Sequence, residues 1–84
     1  MTRDECLSAV STAFGGAFAS AKQGYWQIRI ETTPRRTLVL SKDFVQQNII
    51  ENRMKAEEFQ HRIQEIPFVR WSIDENGSLL YLWR

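Results

Sequence analysis

An α+β two-layer sandwich, with two helices on one face of a four-stranded antiparallel sheet, is predicted by three features of this 84-residue chain. Two segments repeat apolar residues at helical spacing, and the others alternate them at strand spacing. An Asn76-Gly77 pair separates two alternating runs at the C-terminus, the pattern of a β-hairpin. The resulting order, α-β-β-α-β-β, requires both helices to bury their apolar stripes on one side of the sheet. The same layout follows from a ferredoxin-like β-α-β-β-α-β chain whose first strand has moved to the end. On that permuted plan Leu79 to Arg84 is a central strand beside Thr37 to Leu40, and residues 1–84 form one domain.

The first helix is predicted from Arg3 to Lys22. Thr2 and Glu5 have the spacing of a capping box, and Asp4 and Glu5 complement the helix dipole. Leu7, Val10, Phe14, Phe18 and Ala21 form its core stripe. Ala9, Ala13, Gly16, Ala17 and Ser20 form a second stripe of small residues, and Gly24 is the stop. Two glycines inside a helix cost about 2 kcal/mol relative to alanine. Close approach of another backbone would offset that cost, and a kink at Gly15-Gly16 is the alternative.

Tyr25 to Glu31 alternates strictly, with Trp26, Ile28 and Ile30 on the core side and Tyr25, Gln27, Arg29 and Glu31 opposite. A turn at residues 32–36 returns the chain as Thr37 to Leu40. Ser41 caps a second helix from Lys42 to Glu65, with Val45, Ile49, Ala56, Phe59 and Ile63 on its buried face and Pro67 beyond its end. Ile50 and Met54 stand off that stripe. In the final hairpin a two-residue Asn76-Gly77 turn pairs Ile73 with Leu80 and Trp71 with Leu82. Val69, Trp71, Ile73, Leu80 and Leu82 then share the core face, with Phe14, Phe18, Trp26, Ile28, Val45, Ile49, Phe59 and Ile63 also in the core. Phe68, Arg70, Leu79, Tyr81 and Trp83 share the opposite face.

Composition narrows the function classes. With 43% apolar and 25% charged residues the chain is an ordinary globular sequence. The net charge of +1 lacks the basic excess of a typical nucleic-acid module. One cysteine cannot form an internal disulfide, and a reducing cytoplasm is the expected location. Leu7 to Ala21 ends in Ala19-Ser20-Ala21, as a cleavable leader does, but Asp4 and Glu5 cancel the positive start such leaders need. That segment also falls short of the ~20 apolar residues that span a bilayer, so no membrane association is expected.

Candidate binding residues gather on the sheet face left bare by the helices: Tyr25, Arg29, Phe68, Arg70, Tyr81 and Trp83, with Arg35 and Arg36 at a hairpin tip. Exposed aromatics mark interaction surfaces, and guanidinium forks suit phosphates. Solvated charge at the tip is the plainer alternative for the two arginines. Cys6 in the first turn of a helix and the single His61 lie in different helices with nothing to join them, so no catalytic residue is assigned. One Cys and one His make no metal site, and no cofactor is expected.

A helix lined with small residues that ends at Gly24 before a β-hairpin, followed by α-β-β, resembles half of a LAGLIDADG homing endonuclease. That family carries a metal-binding acid just before the glycine, where this chain has Gln23, so the resemblance implies no cleavage. The expected function is a small non-enzymatic binding or regulatory module, an accessory protein of a microbe or mobile element. Its expected partner is itself, as a homodimer, or another protein. The alternative is a nucleic-acid-acting protein, either a single-strand binder or a small metal-independent ribonuclease toxin.

Overall fold

The computed structural model describes residues 1–22 and 26–83. Helix α1 (Arg3–Ala13) opens with the expected capping box: Glu5 N–H donates to Thr2 Oγ1 at 3.2 Å and Thr2 N–H donates to Glu5 Oε1 at 2.8 Å. That second bond holds the Glu5 carboxyl below its ordinary range. The helix does not continue to Lys22. Gly15 (φ +70°) and Gly16 (φ +85°) turn the chain into the left-handed region, and Gly16 N–H closes on Ser11 O at 2.8 Å. The two glycines that helical periodicity places inside α1 therefore end it, because they alone enter that region without a Cβ clash.

Freed from the helix, Ala19–Lys22 forms strand β1, antiparallel to β2 (Trp26–Ile30). The sheet thus has five strands rather than four. Phe18, expected in the core, is 70% exposed. The helix that would end at Gly24 is absent, and Gln23, Gly24 and Tyr25 lie outside the described residues.

Strand β3 (Arg36–Leu40) pairs antiparallel with β2, aligning Ile28 with Leu38 and Trp26 with Leu40. Ser41 then caps α2 (Lys42–Val45) by accepting from Phe44 N–H at 3.1 Å. The predicted single helix from Lys42 to Glu65 is broken. The chain widens into a π turn over Gln46–Ile50, passes through Asn52 at φ +58°, and restarts as α3 (Ala56–Gln64). Two asparagines account for the break. Asn48 Nδ2 donates to Phe44 O at 3.1 Å, taking a carbonyl that the α-helical ladder would use. Asn52 tolerates the left-handed backbone better than most side chains. The Met1 ammonium sits in the gap, donating to Asn48 O (3.1 Å), Met54 O (2.6 Å) and Asn52 Oδ1. Met54, expected off the core stripe, is buried there.

After α3, a 3-10 turn (Phe68–Arg70) leads into the short strand β4 (Ser72–Ile73), which pairs antiparallel with β5 (Leu79–Trp83). The sheet order is β1-β2-β3-β5-β4. As expected, the C-terminal strand is central beside β3, but that pair is parallel, so the sheet is mixed rather than wholly antiparallel. The four-stranded antiparallel plan and its ferredoxin-like order are corrected accordingly: the architecture is α+β, with three helices and a five-stranded mixed sheet.

The hairpin register also differs from expectation. Ser72 pairs with Leu80 and Ile73 with Leu79, one residue away from the predicted alignment. The cause is Asp74. Its Oδ1 accepts from Asn76 N–H and Ser78 N–H, both at 2.9 Å, while Asp74 N–H donates to Ser78 O at 2.8 Å. Three residues, Glu75 to Gly77, then form the loop instead of two, with Gly77 alone among them at positive φ. Because strand side chains alternate, one extra loop residue exchanges the faces of the partner strand. Leu79 is fully buried and Tyr81 and Trp83 turn toward the helices, while Leu80 and Leu82 face solvent.

The core lies between the helices and that face of the sheet. Cys6 and Val10 of α1, Ile28, Ile30, Leu38 and Leu40 of the sheet, and Phe59 and Ile63 of α3 are fully buried. Phe14, Trp26, Val45 and Ile49 pack against them half-buried, and Trp71 is buried, all on the expected side. Val69, Ile73, Leu80 and Leu82, assigned to the core face by the two-residue turn, are exposed.

Candidate functional site

Two surfaces follow from this register. The first is the sheet face away from the helices. Cross-strand alignment sets Ser20, Arg29, Thr37, Leu80 and Ser72 in one row and Lys22, Gln27, Val39 and Leu82 in the next. Its β1–β2 half is polar and basic. Its β3–β5 half is aliphatic, with Leu80 38% and Leu82 47% exposed beside half-buried Val39. Phe68 and Val69, in the 3-10 turn, and Ile73, opposite buried Leu79, are exposed but lie off this face.

The second surface lies on the helix side, where the aromatic residues of the C-terminal segment form a continuous series. Trp83 meets Phe44 and Phe59 edge-on at centroid distances of 5.7 and 5.4 Å, and Tyr81 at 6.3 Å. Tyr81 leans on Trp71 at 5.5 Å, and Trp71 meets Phe14 at 5.9 Å. Such ring pairs contribute about 0.5–1.5 kcal/mol each beyond their buried area. The outer end of the series is open. There Tyr81 and Trp83 wall a cleft of about 450 Å³ whose other side is Arg62, Glu65 and Ile66 at the end of α3, then Pro67 and Arg70.

The predicted site residues are divided between these surfaces. Tyr25 lies outside the described residues. Arg29 is on the bare face as expected. Arg35 is paired with Glu31 at 3.5 Å in an exposed contact that contributes little. Arg36 is not a free phosphate clamp: its guanidinium lies over the Trp71 ring at 4.8 Å and the Phe14 ring at 5.1 Å, and partial burial lowers its pKa. Phe68 is exposed on the 3-10 turn, off the bare face. Arg70, Tyr81 and Trp83 come together, but in the helix-side cleft rather than on open sheet. The aromatic and basic sheet face inferred from the two-residue turn therefore does not form among the described residues.

Sequence reasoning missed Arg62, Glu65, Leu80 and Leu82 as surface-forming residues. A signal for the leucines was present in Asp74, whose carboxylate favours a longer turn than Asn-Gly alone suggests. Arg62 and Glu65 become visible only once α3 is known to end beside β5.

Catalytic groups do not converge. Cys6 is fully buried, and burial pushes its thiol up to about 12, the opposite of what a nucleophile needs. His61 is exposed on α3. Among the described residues no group of three or more His, Cys, Asp or Glu side chains is placed to hold a metal, and no helix is long and apolar enough to cross a membrane. No family model, curated protein or solved structure matches this chain.

Proposed function

We propose that the chain is a non-enzymatic binding module acting through protein–protein contact, as a symmetric homodimer joined by the bare faces of its sheets. The observation that carries this reading is the Val39, Leu80 and Leu82 strip on a sheet face that no helix covers. Among the described residues seven large hydrophobic side chains are exposed, and five of them (Phe68, Val69, Ile73, Leu80 and Leu82) belong to the last seventeen positions. Of these, Leu80 and Leu82 lie on the bare face, Phe68 and Val69 lie on the 3-10 turn, and Ile73 stands opposite Leu79 on the other side of the sheet.

Face-to-face packing is preferred over pairing at the β4 edge. Asp74 and Ser78 form a hydrogen-bonded pair, so alternation leaves only Ile73 of β4 with its amide and carbonyl directed outward. So short an edge is a poor template for a neighbouring strand. Five strands about 4.8 Å apart, two to five residues long, offer a flat footprint of roughly 330 Å². That lies below the ~800 Å² per partner of a standard interface, so the dimer is weak and reversible. A lone buried thiol suits a reducing compartment such as the cytoplasm.

The nucleic-acid alternative relied on aromatic rings spread over the open sheet, and Tyr81 and Trp83 face the helices instead. Light-scattering mass from low to high micromolar concentration tests the proposal. The wild-type chain should pass from monomer to dimer. Leu82→Glu should remain monomeric with an unchanged circular dichroism spectrum, because each dimer would bury two unpaired carboxylates at several kcal/mol apiece, raising Kd at least about 100-fold. A wild-type mass that stays monomeric throughout refutes the homodimer.

A further inference from the structure

The cleft beside Trp83 carries a combination of groups that the core does not require. Tyr81 and Trp83 pack inward against Trp71, Phe44 and Phe59, yet both keep part of their surface open to the cleft. Facing them are two guanidinium groups. Arg70 has no carboxylate partner among the described residues. Arg62 contacts Glu58 Oε1 at 3.0 Å, but both side chains of that pair are about half exposed, so the contact is weak and readily exchanged for a better anion. Guanidinium forks match the tetrahedral oxygens of phosphate in a bidentate fashion. A flat heteroaromatic ring can stack on one of these two rings and meet the other edge-on, because Tyr81 and Trp83 lie at 69° to each other. Glu65, on the same wall as Arg62, brings two acceptor oxygens suited to the N–H groups at the edge of a base.

From these features we infer that the cleft is a binding site for a nucleoside monophosphate, its base against Tyr81 and Trp83 and its phosphate between Arg62 and Arg70. The volume of about 450 Å³ lies within the usual range for small-molecule sites. An aromatic amino acid would fill the space less completely, since its single carboxylate leaves one guanidinium unmatched. The site is independent of the proposed dimer. Alternation along β5 directs Tyr81 and Trp83 to one side of the sheet and Leu80 and Leu82 to the other.

The test is a titration of the full chain with adenosine 5′-monophosphate, followed by the indole N–H resonances of its three tryptophans. Saturable shifts should be largest at Trp83, and the affinity should fall as salt is raised. Arg70→Gln, on an exposed turn, should fold as wild type and weaken binding at least about tenfold, the loss of one charge-assisted contact. Adenosine and inorganic phosphate, offered separately, should each bind at least about tenfold more weakly than the nucleotide, because each satisfies half of the site. Absence of saturation at high millimolar nucleotide overturns the assignment. So do shifts centred on Trp26 rather than Trp83, or an affinity for adenosine equal to that for the monophosphate.

Discussion

Replacing Asp74 with alanine tests whether turn chemistry or core packing decides which face of β5 meets solvent. The substitution removes two exposed hydrogen bonds of 2.9 Å, to the amides of Asn76 and Ser78. At about 0.5–1.5 kcal/mol net each, the hairpin loses on the order of 1–2 kcal/mol. The competing arrangement, a two-residue Asn76-Gly77 turn pairing Ile73 with Leu80, would require β4 to slip by one residue. Slipping carries Trp71 off the core side, where it is 5% exposed and contacts Phe14 and Tyr81. Loss of a buried aromatic costs about 3–5 kcal/mol, more than the turn contributes. Asp74→Ala should therefore lower Tm by roughly 5–15 °C and keep the native register. Thermal denaturation gives the first quantity. The second is read from nuclear Overhauser contacts: Ile73 and Leu79 form a non-hydrogen-bonded pair, whose Hα atoms lie close together. A contact that moves to Ile73 and Leu80 in the variant would mean that Asp74, not core packing, holds the register, and would refute the reasoning.

Two further outcomes follow from burial and backbone geometry. The Cys6 thiol stays neutral in the folded protein up to about 12, whereas an unfolded thiol ionises near 8.5. The folded state therefore binds this proton more tightly. Its contribution is fully present below pH ~8.5 and declines above it, by up to about 1.4 kcal/mol per pH unit, until the folded thiol ionises. Cys6→Ala should flatten that alkaline slope in denaturation curves measured at several pH values, and an identical slope in the variant would count against it. Gly16→Ala meets no neighbouring atom but forces a side chain into φ +85°. It should cost about 1 kcal/mol in urea denaturation, the ~1–2 kcal/mol left-handed penalty less a small gain from a stiffer unfolded chain. A variant as stable as wild type would show that α1 does not need its left-handed stop.

Much of the architecture is legible without coordinates because it rests on interactions between near neighbours. The Thr2–Glu5 box, the Ser41 cap and the alternation of Trp26, Ile28 and Ile30 each depend on residues within four positions, and all appear as expected. The hairpin at Asn76-Gly77 and the central position of the last strand were equally readable. Helix ends and strand faces were not. Gly15-Gly16 suits a tolerated kink or a left-handed stop, and pairing of Ala19–Lys22 with β2 selects the stop. The second helix breaks where the Met1 ammonium reaches Asn48 and Met54, partners 47 and 53 positions away. Whether Tyr81 and Trp83 or Leu80 and Leu82 face water depends on one residue of loop length, resolved by Asp74 and by the aromatic packing of Trp71, Phe44 and Phe59 around β5. Local chemistry sets where most helices begin and how the strands alternate. Which side of each becomes surface, and hence where a partner can bind, is a free-energy comparison between whole packings, and that comparison exists only in the folded chain.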